Sequence, residues 1–473
     1  MISLLVCSCG CVVSLAPAYR IDKESDKIEF RSGPVPQLQL TASYALENYG
    51  TSVLPFIDVT LPNEARYRIK NLLIKVDGRT VRSVQVSSES QEEWASKFRV
   101  PFDPGWNPKQ RRELEIEYTF NAQEGSEARL EVAAASFYVI SPGWLPLLQP
   151  PSHPLSPFPG SPVRTTYAIE VPGDFLVLAS GKPLGQKKNG GMMEYRFEWR
   201  KNDLAPYIVA GRYVDNSSSR QARSASFWTF EALKDNPATA EKETASVSDI
   251  LLKNFGARNK NGPALHIVES AGRHAAGSSE FQAIPFPVGV LVNSRALALG
   301  VNTPDFLKLV TKAQVRNRFA NISSPNSALG ISEGLPAYAD IVINEGLNGQ
   351  GVRRELVLGF LHEYSEACQK GVEKPLISTT MQDPIEQRRI ALAKAPLFFI
   401  ALEDIYGEEP VRRGLAQVVS LLRDQEIKYQ DIRAALENET NKDLAPMFRI
   451  WLYQTGIPAG FKEKYEGAQA GKD

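Results

Sequence analysis

Residues 305–340 contain a pattern that could hold a metal ion. Apolar residues recur at helical spacing from Phe306 to Phe319, and a second apolar run extends from Leu335 to Ile343. The Ser/Pro/Asn cluster at 323–327 separates the two runs, and Glu333 stands at the head of the second. A carboxylate in this place, facing a helix with two histidines one turn apart, is a donor set typical of zinc sites.

Two short motifs in this region resemble a known family. Phe319-Ala320-Asn321 is similar to the F-G-N that follows the HExxH motif of the aminopeptidase N family, which belongs to the gluzincin zinc metallopeptidases. The segment 331–338, ISEGLPAY, is similar to that family's L-N-E-G-x-A-x-Y, whose Glu is the third zinc ligand. The resemblance covers most of residues 130–460, including a P-G-W-x-P element at 142–146.

The residues that carry the chemistry of the family are replaced. Counting back from Phe319 places the HExxH positions on residues 312–316, so Lys312 and Arg316 stand for the two histidines and Ala313 for the general base. The stretch that resembles the family's Y-x-K-G has Leu392 in place of the catalytic tyrosine. Lysine and arginine are cationic at neutral pH and do not bind zinc there. The resemblance therefore implies a degenerate site without a bound metal, in which only Glu333 is retained.

A carboxylate that has lost its metal needs another compensating charge. We predict that Glu333 pairs with Arg316, Lys312 or both, since these positions lie one helical turn apart and would face it. Arg316 is the preferred partner because its planar guanidinium can bind a carboxylate through two hydrogen bonds. In the alternative interpretation, both cations point to solvent.

Other candidate site residues have weaker support. Glu280, in the segment 277–281 GSSEF, lies where the family has its G-A-M-E-N strand, and the resemblance implies that it binds the α-amino group of a peptide. Glu345 belongs to a second N-E-G sequence, but no A-x-Y follows it. His362 has Glu366 one turn later, which favours an exposed helix face over a second metal site because no third ligand is identified.

The overall composition gives no sign of a strongly charged partner. The 473 residues contain 54 Lys+Arg and 54 Asp+Glu, so the balanced charge does not indicate a nucleic-acid-binding surface. Three of the four cysteines lie within the first eleven residues, which leaves Cys368 alone in the remainder of the chain. A chain processed after residue 18 would therefore have no internal disulfide.

The first eighteen residues carry no charge and end in Ala16-Pro17-Ala18, a small-x-small cleavage pattern. We predict that residues 1–18 are a cleaved export signal and that the protein is periplasmic or extracellular. A retained membrane anchor, a lipid anchor on Cys9 and a buried apolar segment are the alternatives.

Periodicity predicts an α+β protein. Short alternating strands fill residues 19–215 and indicate an antiparallel β-sandwich, with the proline-rich segment 141–162 as an ordered crossing within it. Helical patterns fill residues 216–473, where the resemblance implies a thermolysin-like, mostly helical domain of the catalytic type. The predicted domain boundary lies near residue 215.

These observations predict an exported, catalytically inactive homologue of zinc aminopeptidases, a pseudo-peptidase that binds peptides or acts as a scaffold. Its expected partners are a peptide or another envelope protein, with no nucleic acid, and a membrane only through an uncleaved or lipidated N-terminus. The alternative function is an active metallopeptidase that uses a non-standard site.

Overall fold

The structure is a computed structural model that divides the chain into two compact units. Met1–Arg212 and Ala271–Ser278 form the first unit, and Tyr213–Ser270 and Ser279–Asp473 form the second. The described residues are 19–62, 69–86, 95–121, 130–140, 144–148, 165–199, 207–217, 225–256, 265–271, 283–286, 288–319, 328–380, 383–421 and 427–467.

The first unit is built from strands, as predicted. Its strands are β1 Tyr19–Arg31, β2 Gln37–Asn48, β3 Leu54–Pro62, β4 Ile69–Val76, β5 Arg79–Thr80, β6 Val84–Val86, β7 Ala95–Trp106, β8 Arg111–Asn121, β9 Leu130–Val132, β10 Ser136–Val139, β11 Leu147–Leu148, β12 Thr165–Pro172, β13 Leu176–Ala179, β14 Lys182–Asn189, β15 Met192–Trp199 and β16 Ile208–Gly211. They form one eight-stranded and two four-stranded sheets.

The eight-stranded sheet has the order β14-β15-β12-β1-β2-β8-β4-β5, in which β1 and β12 run parallel and the other pairs antiparallel. One face of this sheet is buried, as strand β2 illustrates. Every second residue of β2 from Leu38 to Leu46 is apolar or aromatic and buried, because alternate side chains of a strand point to the same face. The smaller sheets have the orders β13-β16-β10-β9 and β11-β3-β7-β6. Inward faces of all three sheets contribute to one hydrophobic core.

The second unit begins with a five-stranded sheet. Its strands are β17 Val214–Asp215, β18 Ala225–Thr229, β19 Leu265–Ser270, β20 Ala283–Phe286 and β21 Gly289–Asn293, in the order β17-β18-β19-β21-β20. Strands β18, β19 and β21 are parallel, and β20 pairs antiparallel with β21 at one end of the order.

Helices form the remainder of the second unit. They are α1 Ala238–Phe255, α2 Ser294–Ala298, α3 Pro304–Phe319, α4 Leu329–Ser332, α5 Gly334–Asn348, α6 Gln350–Lys370, α7 Ile385–Tyr406, α8 Glu408–Leu421, α9 Tyr429–Thr440, α10 Ala445–Phe448 and α11 Ala459–Glu466, with a 3-10 turn at Leu376–Ser378 and a π-helical turn at Arg449–Tyr453. None of the helices among the described residues is both long and apolar enough to cross a membrane.

Helix α7 lies at the centre of the helical core. All residues from Ala393 to Glu403 are buried, which places apolar side chains around the whole circumference of the helix. The helix starts at Ile385, directly after Pro384. It continues through the buried Pro396, since packing on all sides offsets the one backbone hydrogen bond that proline removes.

Candidate functional site

Helix α3 carries the positions that resemble HExxH. Its start fits the sequence, because Pro304 occupies the first helical position, where its missing N–H costs nothing. Ala313 is 3% exposed and belongs to an apolar cluster with Phe306 and Val310, which lie on the same face of the helix. Lys312 is exposed on the neighbouring face. The side chain of Arg316 lies outside the described residues.

Lys312 acts on an aspartate that the sequence reasoning missed. Burial raises the pKa of Asp340 on α5, and the positive charges of Lys312 and Lys308 lower it. Asp340 follows Glu333 by two helical turns and therefore lies on the same side of α5. No salt bridge joins Lys312 to Glu333, both of which are described, so the predicted pairing, which allowed Arg316 alone, depends on Arg316. Its Arg316 part remains a prediction.

Glu333 itself is half-buried at the junction of α4 and α5. Its backbone N–H donates to Leu329 O at 3.0 Å, and its carbonyl accepts from Ala337 N at 3.0 Å, so it belongs to both helices. It occupies the N-cap position of α5. The positive end of the helix dipole favours a carboxylate at this place. The Glu333 side chain makes no capping hydrogen bond, so the dipole of α5 is the favourable interaction that this position offers.

Helix α7 approaches the N-terminus of α5 closely. A Cβ atom on Gly334 would lie 2.4 Å from the Cβ of Ala395, so no larger residue fits at Gly334 without movement. Leu392, at the position that resembles the catalytic tyrosine, lies three residues before Ala395 and is 37% exposed. Pro396 cannot donate to the carbonyl of Leu392, four residues earlier. The sequence thus places an aliphatic side chain where the family has a phenol.

Tyr338, which resembles the last residue of the family motif, belongs to a buried ionic network. Its hydroxyl donates to Glu403 Oε1 at 2.5 Å. The Glu403 side chain is 0% exposed and contacts Arg412 Nε at 2.6 Å and Arg353 Nη1 at 2.7 Å. Burial and the Glu403 charge raise the pKa of Tyr338. Glu345, the alternative N-E-G glutamate, binds both arginines in the same network.

The stretch around Leu392 contains a second buried ion pair. Lys394 Nζ is 2.8 Å from Glu373 Oε1 and donates to Gln454 O at 2.8 Å. Glu373 also accepts from the Tyr364 hydroxyl and from Gly456 N, each at 2.6 Å. Lys394 therefore joins α7 to the loops on either side of it.

The residues present at this site do not fit zinc. A catalytic zinc needs three protein donors and an open position. The two positions that resemble histidines are cationic residues, and the base position is a buried methyl group, which leaves Glu333 as a single donor. Within the described part of the chain, no group of three or more His, Cys, Asp or Glu side chains could hold a metal ion.

The two described histidines, His266 and His362, make contacts other than metal ligation. His362 Nε2 lies 3.5 Å from Glu366 Oε1, and both side chains are more than half exposed on α6. His266 on β19 lies 2.6 Å from Ser226 Oγ through its Nδ1, beside the ring of Trp228. Glu280 and the predicted export signal 1–18, which contains Cys9, lie outside the described residues.

Comparison with known proteins gives the fold. No family model and no curated protein matches the chain. The M1 zinc metallopeptidase from Deinococcus radiodurans is similar in structure, with a TM-score of 0.62 and 15% identity over 94% of this chain and 96% of that chain. A variant of the enzyme from Deinococcus radiodurans, bound to the substrate Tyr-Ser-Ala, matches with a TM-score of 0.61 and 16% identity. The match covers 93% of this chain and 96% of that chain. Native yeast LTA4 hydrolase matches with a TM-score of 0.59 and 11% identity, over 93% of this chain and 69% of that chain. The chain thus has the two-domain fold of M1 zinc metallopeptidases, with a sheet-rich domain followed by a helical one.

Proposed function

We propose that this protein is a pseudo-peptidase, an exported member of the M1 fold that binds peptides without hydrolysing them. The observation that carries the proposal is the environment of Ala313. At the position that resembles the general base, the side chain is a methyl group within an apolar cluster. A methyl group cannot take a proton from water, so the step that peptide hydrolysis requires has no base there.

The ligand positions support the same conclusion. Lys312 is exposed, and its positive charge acts on Asp340. Glu333 lies at a helix N-terminus, where a carboxylate is stable without a metal.

A peptide-binding role has its own support. Strand β20 is the end strand of its sheet, and the described residues place a neighbouring strand on one side only. An edge strand of this kind can accept an extended peptide by strand addition. The similar Deinococcus structure is bound to a tripeptide. Export rests on the uncharged segment 1–18, and an envelope protein is accordingly the expected source of the peptide.

Two assays test the proposal together. Hydrolysis of Tyr-Ser-Ala and of aminoacyl p-nitroanilides is measured with and without added zinc, and we expect none above background. Binding of a fluorescent peptide with a free N-terminus is measured by polarisation, and we expect it to be unchanged by a chelator. Hydrolysis that disappears in Glu333→Ala would contradict the proposal.

Glu280 is tested in the same binding assay. If it holds the α-amino group, Glu280→Gln weakens binding of the free peptide and leaves binding of its N-acetylated form unchanged. Equal effects on both peptides would remove Glu280 from the site. N-terminal sequencing of the protein from its own envelope fraction tests export, with a mature start after Ala18 as the expected result.

A further inference from the structure

Two carboxyl groups lie on the inner face of the eight-stranded sheet. Glu24 and Asp26 are alternate residues of β1 and therefore point to the same side, toward the core. Asp26 is 5% exposed and pairs across the strands with Ala42 of β2 and Tyr167 of β12. The small side chain of Ala42 leaves Asp26 without a polar partner from β2.

The surroundings of the two groups offer little compensation for a charge. Thr165 Oγ1 donates to Glu24 Oε2 at 3.0 Å, and Tyr44 lies directly opposite Glu24 on β2. Asp26 Oδ1 is buried without a hydrogen-bond partner. The titratable groups that face the pair are Tyr44 of β2, Tyr118 of β8 and Tyr167 of β12.

No lysine, arginine or histidine among the described residues forms an ion pair with either carboxyl group. An ionised Asp26 would therefore be an uncompensated charge inside the core. Burial, and then the charge of Glu24, raise the pKa of Asp26 well above its ordinary value.

Two of these tyrosines also hold a chain segment over the sheet. We call residues 144–148 the crossing segment. The Tyr118 hydroxyl donates to Trp144 O at 2.5 Å, and the Tyr44 hydroxyl donates to Pro146 O at 3.1 Å. The segment is thus attached to the side chains that border the carboxyl pair.

We propose that the Glu24–Asp26 pair is a proton-operated latch for the crossing segment, which stays closed over the sheet while the pair retains a proton. Opening of the segment admits water, in which a carboxyl group ionises with a pKa of about 4. The closed form keeps its proton to higher pH. Above about pH 4, each further pH unit therefore raises the ratio of open to closed form by up to tenfold for each carboxyl proton released on opening. This increase ends at the pH at which the closed form ionises as well.

Hydrogen exchange of the full chain tests the latch. Protection of backbone amides in peptides that cover residues 144–148 is measured from pH 4 to 9 and corrected for the intrinsic pH dependence of exchange. We expect protection to fall as pH rises, by up to tenfold per pH unit. Asp26→Asn keeps the shape of the neutral acid and removes one of the two titrating groups, so its protection should stay higher at high pH and fall less with pH than in the unmodified chain.

Two further variants keep the test decisive. Glu24→Gln retains Asp26 but removes the like charge, so the fall in protection should end at a lower pH than in the unmodified chain. Glu170→Gln is the matched control, because Glu170 lies on β12 but pairs with Lys27 at 2.8 Å, and it should leave the pH profile unchanged.

Three results would overturn the latch. In the first, protection in the unmodified chain does not change with pH. In the second, Asp26→Asn has the same pH dependence of protection as the unmodified chain. In the third, millimolar calcium restores the protection that is lost at high pH. The last result would identify the pair as a cation site. If Asp26→Asn does not fold, the shift expected in Glu24→Gln still decides the question.

Discussion

Replacement of Arg412 by alanine should destabilise the helical unit strongly. Arg412 Nε contacts Glu403 Oε1 at 2.6 Å, and the Glu403 side chain is 0% exposed. Burial lowers the pKa of Arg412, but the hydrogen bond and the charge of Glu403 raise it above its ordinary value. The arginine is therefore held in its charged form by a buried carboxylate that cannot reach water.

The expected cost follows from what remains after the substitution. Removal of one partner from a buried ion pair typically costs about 3–5 kcal/mol, because the other charge is left without compensation. Glu403 would keep Arg353 at 2.7 Å and the Tyr338 hydroxyl at 2.5 Å. We therefore expect a loss of about 3 kcal/mol in the free energy of unfolding, at the lower end of that range.

Urea denaturation followed by circular dichroism at 222 nm measures this loss, since the helical unit dominates that signal. Arg413→Ala is the matched control on the same helix. Arg413 pairs with Glu409 and Glu439, and its own side chain is 54% exposed, so its removal should change stability by about 1 kcal/mol or less. Equal effects of the two substitutions would refute the reasoning.

Four further predictions concern the candidate site. Gly334→Ala should cost about 1–3 kcal/mol by overpacking against Ala395, and the second substitution Ala395→Gly should restore most of it in thermal unfolding. Burial raises the pKa of Asp340, so its contribution to stability is complete below about pH 4 and is lost as pH rises toward that pKa. Lys312→Ala should raise the pKa of Asp340 further, as measured by NMR titration, and an unchanged or lower pKa would contradict this. Glu333→Ala should cost only about 0.3–1 kcal/mol, the contribution of a carboxylate at a helix N-terminus, and a much larger loss would indicate a buried ion pair.

The fold could be predicted because it is encoded in local patterns. Alternation such as that of β2, and helical spacing such as that of α3, depend on which residues face a core, and the structure confirms a sheet-rich domain followed by a helical one. Proline usually interrupts a helix, and only the burial of α7 on all sides shows why this helix passes through Pro396.

The partners of charged residues could not be predicted in the same way. The sequence places Lys312 one turn before Arg316, but only packing of α3 against α5 brings it near Asp340. Glu403 and Arg412 lie on different helices, and no spacing in the sequence indicates that Tyr338 joins them. A search for acidic residues at helical intervals after Glu333 would have found Asp340, since it lies two turns further along the same face.

Zinc stoichiometry tests the central claim most directly. The full chain is incubated with equimolar zinc at neutral pH, dialysed, and analysed for metal by elemental mass spectrometry, beside a variant that combines Lys312→His, Ala313→Glu and Arg316→His. We predict no stoichiometric zinc in the unmodified chain, and any zinc gained by the variant would show that the frame of the site remains. One zinc per unmodified chain, lost in Glu333→Ala together with peptide hydrolysis, would contradict the account.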